Sequence, residues 1–365
     1  MRVAIVYDAV YPYVKGGVER RVYDLARSLS EKHEVCVFGM KYWKGPRLRT
    51  HNGVNYYGVC RPLKLYTASG RRGLIEPLYF SISLLPALLQ FDFDLIDCQN
   101  FPYLPCFSAK ICSVIRKKPL IITWCEAWGD YWYKYLGTLG WFGRQAEKLT
   151  LRLTENHLSL SALTAENLLS LGKKSKAIEP GMDFDSIKRF KHSKKRYDVA
   201  FVGRLIREKN ADVLVRAIGL TKANAVIIGG GPEEERINQI VQEFGLQDRI
   251  KLTGFLKRDE YLEYIASSRI FVSLSEREGF GIAANEALAL GLQVITIPSR
   301  VNALSSRVDK SHLCSLSEED VAEKIDLLLS KKAGTSQKKA LKQNSIGESA
   351  ALVERYYQQV AGSTK

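Results

Sequence analysis

Two glutamates, Glu278 and Glu286, enclose the run Gly279-Phe280-Gly281-Ile282-Ala283-Ala284-Asn285. Their spacing covers just over two helical turns of about 3.6 residues. The glycines mark a helix start, where unpaired backbone N–H groups can hold phosphate or sugar oxygens. A carboxylate on either side can accept hydrogen bonds from paired hydroxyls. The stretch reads as a site for a polyhydroxylated, phosphorylated ligand. The plain alternative is an acidic first helical turn, which is common. The glycines and the strand predicted just before them favour the ligand.

A second cluster is Gly203-Arg204-Leu205-Ile206-Arg207-Glu208-Lys209-Asn210. It follows a predicted strand and precedes a predicted helix. Arg204 and Lys209 would then stand at a strand's carboxyl end, where two fixed cations can clamp a diphosphate. Arg207 reads as surface charge. Gly16-Gly17-Val18-Glu19-Arg20 follows the first predicted strand, and its glycines permit close backbone approach to a ligand. It lacks the G-x-G-x-x-G spacing, which disfavours a nicotinamide or flavin cofactor, and the chain has no Walker A sequence. Gly229-Gly230-Gly231-Pro232 can cradle a phosphate or simply turn into a proline-started helix. The sequence leaves both open.

The elements that must position these loops follow from periodicity. Val3–Tyr7, His33–Phe38, Leu95–Cys98, Leu120–Trp124 and Leu160–Ala162 read as strands. A helix with Val18, Val22, Leu25, Ala26 and Leu29 on one face follows the first. Residues 181–197 turn polar and basic and read as a linker. A second series begins at Asp198, with strands Val199–Val202, Ala225–Ile228, Ile250–Leu252, Ile270–Val272 and Val294–Ile297. Two successive α/β series predict two doubly wound domains, residues 1–180 and 198–346, with ligand loops after the strands. The closing amphipathic helix, about 347–365, is expected to pack back on the first domain.

Length and charge bound the partners. The chain has 365 residues and a formal charge of +15. Its seven cysteines form no C-x-x-C pair and its five histidines form no cluster. Both point to a reducing cytosol without a zinc site. No apolar run is long enough to span a membrane, and Met1 to Asp8 does not read as a signal peptide. Lys41 to Arg72 carries eight basic residues and no acid. Such a stretch seeks polyanions, or is a solvated face.

With these motifs in view, the chain resembles the retaining GT-B glycosyltransferases of family 4, also called glycosyl transferases group 1. The resemblance runs nearly the full length. It rests on Gly16-Gly17-Val18-Glu19-Arg20, Gly203-Arg204-Leu205 with Glu208-Lys209, Gly229 to Pro232, and Glu278-x7-Glu286 with Ala287 and Gly291 behind it. It implies two Rossmann-like domains facing across a cleft, the first binding acceptor and the second a nucleotide sugar. By resemblance Arg204 and Lys209 bind and stabilise the leaving diphosphate. Glu278 meets the sugar hydroxyls and Glu286 the ribose. Phe280, Gly281 and Ile282 offer N–H groups, Gly16 and Gly17 line the phosphate region, and Phe255 and Leu256 border the base. Such enzymes need no metal, because fixed cations and helix ends replace it. Asp92-Phe93-Asp94 has the D-x-D form of metal-dependent sugar transferases, but it precedes a strand, opposite the ligand loops.

One departure stands out. Where the family carries a His after an N-domain strand, this chain has Cys125. The expected activity is sugar transfer from a UDP- or GDP-linked donor with retained configuration. The expected acceptor is a glycan precursor or lipid-linked molecule at the cytoplasmic membrane face, with Lys41 to Arg72 docking on anionic lipid. One rival is a catalytically weakened sugar-nucleotide-binding or scaffold protein of the same fold, which Cys125 favours. A nucleic-acid module, the other rival, lacks any zinc-finger or RRM signature.

Overall fold

The computed structural model describes residues 1–65, 73–190, 193–331 and 344–363. Arg71 and Arg72 of the basic stretch lie outside them. The described residues divide into two compact units. One comprises residues 1–65, 73–181 and 344–363, the other 182–190 and 193–331.

The first unit is built on eight strands: β1 Arg2–Val6, β2 Glu34–Gly39, β3 Leu48–His51, β4 Val54–Gly58, β5 Leu95–Gln99, β6 Leu120–Trp124, β7 His157–Ser159 and β8 Lys176–Ala177. Their order is β3-β4-β2-β1-β5-β6-β7-β8. All neighbours are parallel except the β3–β4 pair. Strands covered on both faces by crossover helices read as continuous apolar runs, and β5 and β6 are buried at every position. The direction of sheet growth reverses at β1, with β2 on one side and β5 on the other.

Charge drew attention to residues 41–72 and hid a hairpin inside them. Asn52 and Gly53 both have positive φ, 49° and 77°. They join His51 to Val54 in a two-residue turn of the kind Asn-Gly favours. The expected strand at Leu160–Ala162 is corrected to β7, three residues earlier. Ser161 instead caps the helix Ala162–Ser170, its Oγ accepting from the Thr164 N–H at 3.1 Å.

The last helix, Ile346–Gly362, belongs to the first unit. Ser345 and Glu348 form its capping box. It buries Val353, Tyr357 and Val360. The Tyr357 hydroxyl donates to buried Asp97, where burial pushes the carboxyl above the usual carboxylate range. Gly181 meets the start of this helix so closely that a Cβ would lie 2.4 Å from Ile346 Cα.

The second unit carries β9 Tyr197–Val202, β10 Ala225–Ile228, β11 Ile250–Leu252, β12 Ser268–Ser273 and β13 Gln293–Thr296. They form an all-parallel sheet ordered β11-β10-β9-β12-β13. Met182 and Ile187 are buried in its core, so the residues read as linker begin this unit.

His157 opens β7 and is almost fully buried. Its Nδ1 accepts from the Trp124 indole N–H at 3.0 Å. Indole is only a donor, so this nitrogen is unprotonated and the ring neutral. Burial pushes the imidazole down to about 4. The unfolded chain therefore binds a proton between about pH 6.5 and 4 that the folded chain excludes, and stability falls as pH drops through that window. The expected loss from this residue is at most ~3 kcal/mol. Urea unfolding at pH 7, 5.5 and 4.5 should show a flatter pH dependence for His157→Gln than for wild type; equal slopes would contradict the assignment.

Candidate functional site

β9 lies between β10 and β12, so the strand order reverses beside it and opens the crevice where open α/β sheets take ligands. The loops after β9, β10 and β12 surround that point. Arg204, half-buried, lies in the loop that leaves β9. The Gly203 and Leu205 N–H groups donate to the carbonyls of Ile228 and Gly230 at 3.0 and 2.9 Å. A Cβ on Gly229 would come 1.8 Å from the Gly203 carbonyl oxygen, and one on Gly231 would come 2.4 Å from that of Leu205. Both glycines have positive φ. The protein's own backbone requires them, whatever they offer a phosphate.

A short turn, Arg207–Lys209, then leads to Asn210 in the left-handed region. The Asn210 side-chain amide donates to the Leu274 carbonyl at 2.9 Å, and the Glu276 N–H donates to the Glu208 carbonyl at 3.1 Å. These bonds tie the β9 loop to the β12 loop. They bring Lys209 Nζ within 2.5 Å of Glu278 Oε2. Each side chain is about one-fifth exposed. A pair near solvent contributes little net stability, so it can exchange partners readily. A phosphate can take the ammonium while hydroxyls take the carboxylate.

The backbone around Glu278 is clamped. Its N–H donates to Val301 O at 2.9 Å, and its carbonyl accepts from the Ala303 N–H at 2.7 Å. Buried Asn302 donates to the carbonyls of Ser275 and Ile297, both at 3.0 Å. Gly281, at φ 79°, starts the helix Ile282–Ala289. No side chain caps that helix, so its first-turn N–H groups keep their donor capacity. Asn285 donates to the carbonyls of Phe280 and Gly281 at 2.7 and 2.9 Å, and accepts from Arg307 at 3.1 Å. The Arg307 guanidinium lies 4.5 Å over the Phe280 ring. Asn285, Asn302 and Arg307 shape this loop, and the sequence reading passed over all three. Only Asn285 carried a signal, as a poor helix former inside the glutamate motif.

Glu286 is buried, and both its oxygens hold donors from the protein. Arg258 Nε and Nη2 reach Oε1 at 3.1 and 2.8 Å, and the Tyr261 hydroxyl donates to Oε2 at 2.8 Å. Arg258 Nη1 also reaches Asp183 Oδ2 at 3.2 Å. Phe255 is 53% exposed and lies against Gly230. Leu256 packs partly buried against the core of this unit.

Gly16, Gly17 and Cys125 belong to the first unit. Gly16 precedes the helix Gly17–Leu29, and a Cβ there would lie 2.4 Å from Glu19 Oε2. Cys125 follows β6, and its N–H donates to Asn100 Oδ1 at 3.0 Å. Burial pushes its thiol up to about 12, while nearby Arg21 pulls it down. At neutral pH it is a protonated thiol and only a weak donor. Asp92 and Asp94 pair with Arg2 at the start of β1, which gives the D-x-D run a structural role. Among the described residues no group of three or more His, Cys, Asp or Glu is placed to hold a metal ion.

Comparison with known proteins bears on this site. A model of "Glycosyl transferases group 1" matches residues 183–348, and one of "Glycosyltransferase Family 4" matches residues 15–186. A human phosphatidylinositol N-acetylglucosaminyltransferase subunit is 25% identical over 80% of this chain and 61% of its own length. The chain spans between about a quarter and three-fifths of the first curated relatives it matches. The sucrose-phosphate synthase of Thermosynechococcus elongatus superposes with a TM-score of 0.81 at 17% identity, covering 99% of both chains. Anabaena Alr3699/HepE, solved in complex with UDP and glucose, gives 0.71 at 17% identity, covering 100% of this chain and 99% of its own.

The Arg258–Glu286 pair yields a test of this geometry that needs no activity. Removing one partner of a buried pair leaves the other uncompensated and typically costs 3–5 kcal/mol, a range expected here as about 3 kcal/mol because Tyr261 remains. Arg258→Ala should lose that much in denaturant unfolding followed by circular dichroism. A loss under about 1 kcal/mol would mean that the pair is not buried as described.

Proposed function

Because the chain belongs to the group 1 glycosyltransferases and has the GT-B fold, we propose that it moves a sugar from a nucleotide-sugar donor to an acceptor, with retention of configuration. The observation that carries this reading is the Lys209–Glu278 pair at the point where the strand order reverses. In the proposed complex the donor's diphosphate takes Lys209 and Arg204. Glu278, released from Lys209, accepts hydroxyls of the sugar. The N–H groups at Gly281 and Ile282 hold phosphate or sugar oxygens, with Phe280 fixing their loop. Glu286 accepts the ribose hydroxyls, and Phe255 with Leu256 borders the base. Gly16 and Gly17 belong to the first unit, the part assigned to the acceptor.

As the sugar–phosphate bond breaks, negative charge grows on the leaving diphosphate. Arg204 and Lys209 stabilise that charge more than they stabilise the intact donor, which is what lowers the barrier. The leaving phosphate oxygen takes the acceptor's proton on the same face of the sugar. Cys125, a neutral thiol, contributes less to donor handling than an imidazole would. That residue supports the second reading, a weakened sugar-nucleotide-binding protein of the same fold, and a donor-hydrolysis assay separates the two.

The finer reading is a UDP- or GDP-linked donor and a lipid-linked or glycan acceptor at the cytoplasmic membrane face. It draws support from a relative named for phosphatidylinositol and N-acetylglucosamine, and from a neighbour solved with UDP and glucose. A thermal-shift screen of UDP- and GDP-sugars would identify the donor, since a ligand that binds only the native state stabilises it. With that donor, Arg204→Ala and Lys209→Ala should each lower turnover on the order of 10²-fold or more, with folding retained. Near-native turnover in both variants would remove the diphosphate assignment.

A further inference from the structure

Two neighbouring helices of the first unit, Ile75–Leu89 and Leu104–Arg116, carry an outward face that nothing described covers. They run side by side in the same direction. Ser81 Oγ donates to the Leu104 carbonyl at 2.8 Å near one end, and the Arg116 guanidinium reaches the Leu89 carbonyl at the other. The first helix is apolar nearly all round. Its one charge, Glu76, is buried. A helix of that composition is normally buried on every side or lies in lipid. Here Leu74 is 84% exposed, Ile75 78%, Leu78 51% and Ile82 67%. The second helix adds Ile111 and Ile115, 48% and 58% exposed.

The charge contributed by the second helix and the residues that follow it is basic. The second helix carries Lys110 and Arg116 and no acid, and Lys117 and Lys118 follow it directly. An apolar surface bordered by four cations, with the nearby carboxylates Asp92 and Asp94 held by Arg2, complements an anionic bilayer, with side chains among the acyl chains and ammonium groups at the phosphates. No described helix is long and apolar enough to cross a membrane, so contact of this kind is interfacial.

We propose that the outward face of helices Ile75–Leu89 and Leu104–Arg116 is a docking surface for anionic phospholipid membrane. This deepens the reading above, because it names the surface that would meet the membrane of a lipid-linked acceptor. The basic stretch Lys41 to Arg72 supplies charge but no comparable apolar face among its described residues; the two helices supply both. Insertion of Ile75 and Ile82 gives the contact a part that salt does not screen, and Lys117 and Lys118 give it a part that salt does.

The test is flotation of the full chain with phosphatidylcholine vesicles, with and without phosphatidylglycerol. Wild type should float with the phosphatidylglycerol vesicles at low salt and not with phosphatidylcholine alone. I75S/I82S should lower the bound fraction at least tenfold. K117E/K118E should lower it at least fivefold, the size expected for losing one basic contact at an anionic surface. Circular dichroism melts check that both variants fold, and outward positions make that the expected result. Failure of wild type to float, or flotation of I75S/I82S like wild type, would overturn the proposal. So would a dimer in sedimentation velocity that I75S/I82S dissociates, because the face would then belong to a second copy. Nucleotide-sugar thermal shifts on the same proteins keep the two readings apart: lost flotation with an intact donor shift is the docking surface alone, and no donor shift in wild type removes the transferase reading instead.

Discussion

Parallel pairing forces every strand of the second unit to end at the same edge of its sheet. A crossover helix must return the chain between parallel neighbours, so the loops that begin those helices collect at that edge. Because β10 and β12 flank β9 on opposite sides, two of the loops part there. The Arg204–Asn210 loop and the Ser275–Gly281 loop then meet without obstructing each other. Everything else about the site refines that meeting. Asn210 and Glu208 lace the loops together through main-chain groups of the other loop, and the glycines of the β10 loop let backbones pass at distances no side chain would allow.

The charges at this edge fall into two kinds. Lys209 and Glu278 form a partly exposed pair that can reopen at little cost. Glu286 and Arg258 form a buried one, reinforced by Tyr261 and Asp183, whose separation would be expensive. The first arrangement suits groups that must change partners when a ligand arrives. The second suits a carboxylate that must stay oriented. The helix start between them, uncapped by any side chain, adds donors without adding a charge.

In the first unit the closing helix has a comparable organising role. It reaches back over the chain so that Tyr357 donates to Asp97, Ser349 to the Glu179 carbonyl and Tyr356 to the His157 carbonyl. Those contacts join β5, β7 and the segment just before Gly181, elements that lie far apart in sequence. Asp97 is buried, so loss of the Tyr357 donor would leave its carboxyl without compensation rather than simply remove a favourable contact.

The fold class was legible in the sequence because apolar runs alternating with helical periodicity have few other solutions. The loops after strands were legible for the same reason, including those that hold Arg204, Lys209 and Glu278. Local chemistry sometimes carried the answer and was outweighed by a louder signal, as with Asn52-Gly53 inside a basic stretch. Ser161 was a cap that the apolar run beside it disguised. What no local pattern could reveal was pairing at a distance. Lys209 and Glu278 are 69 residues apart, and Arg258 and Glu286 belong to different helices. Asn302 and Arg307 act on a loop more than twenty residues before them. The exposure of Ile75 and Ile82 was equally hidden, since an apolar helix reads the same whether its outer face is covered or bare. Sequence determines which residues can pair or be buried; only the packed chain decides which of them are, because each outcome depends on neighbours brought in from elsewhere.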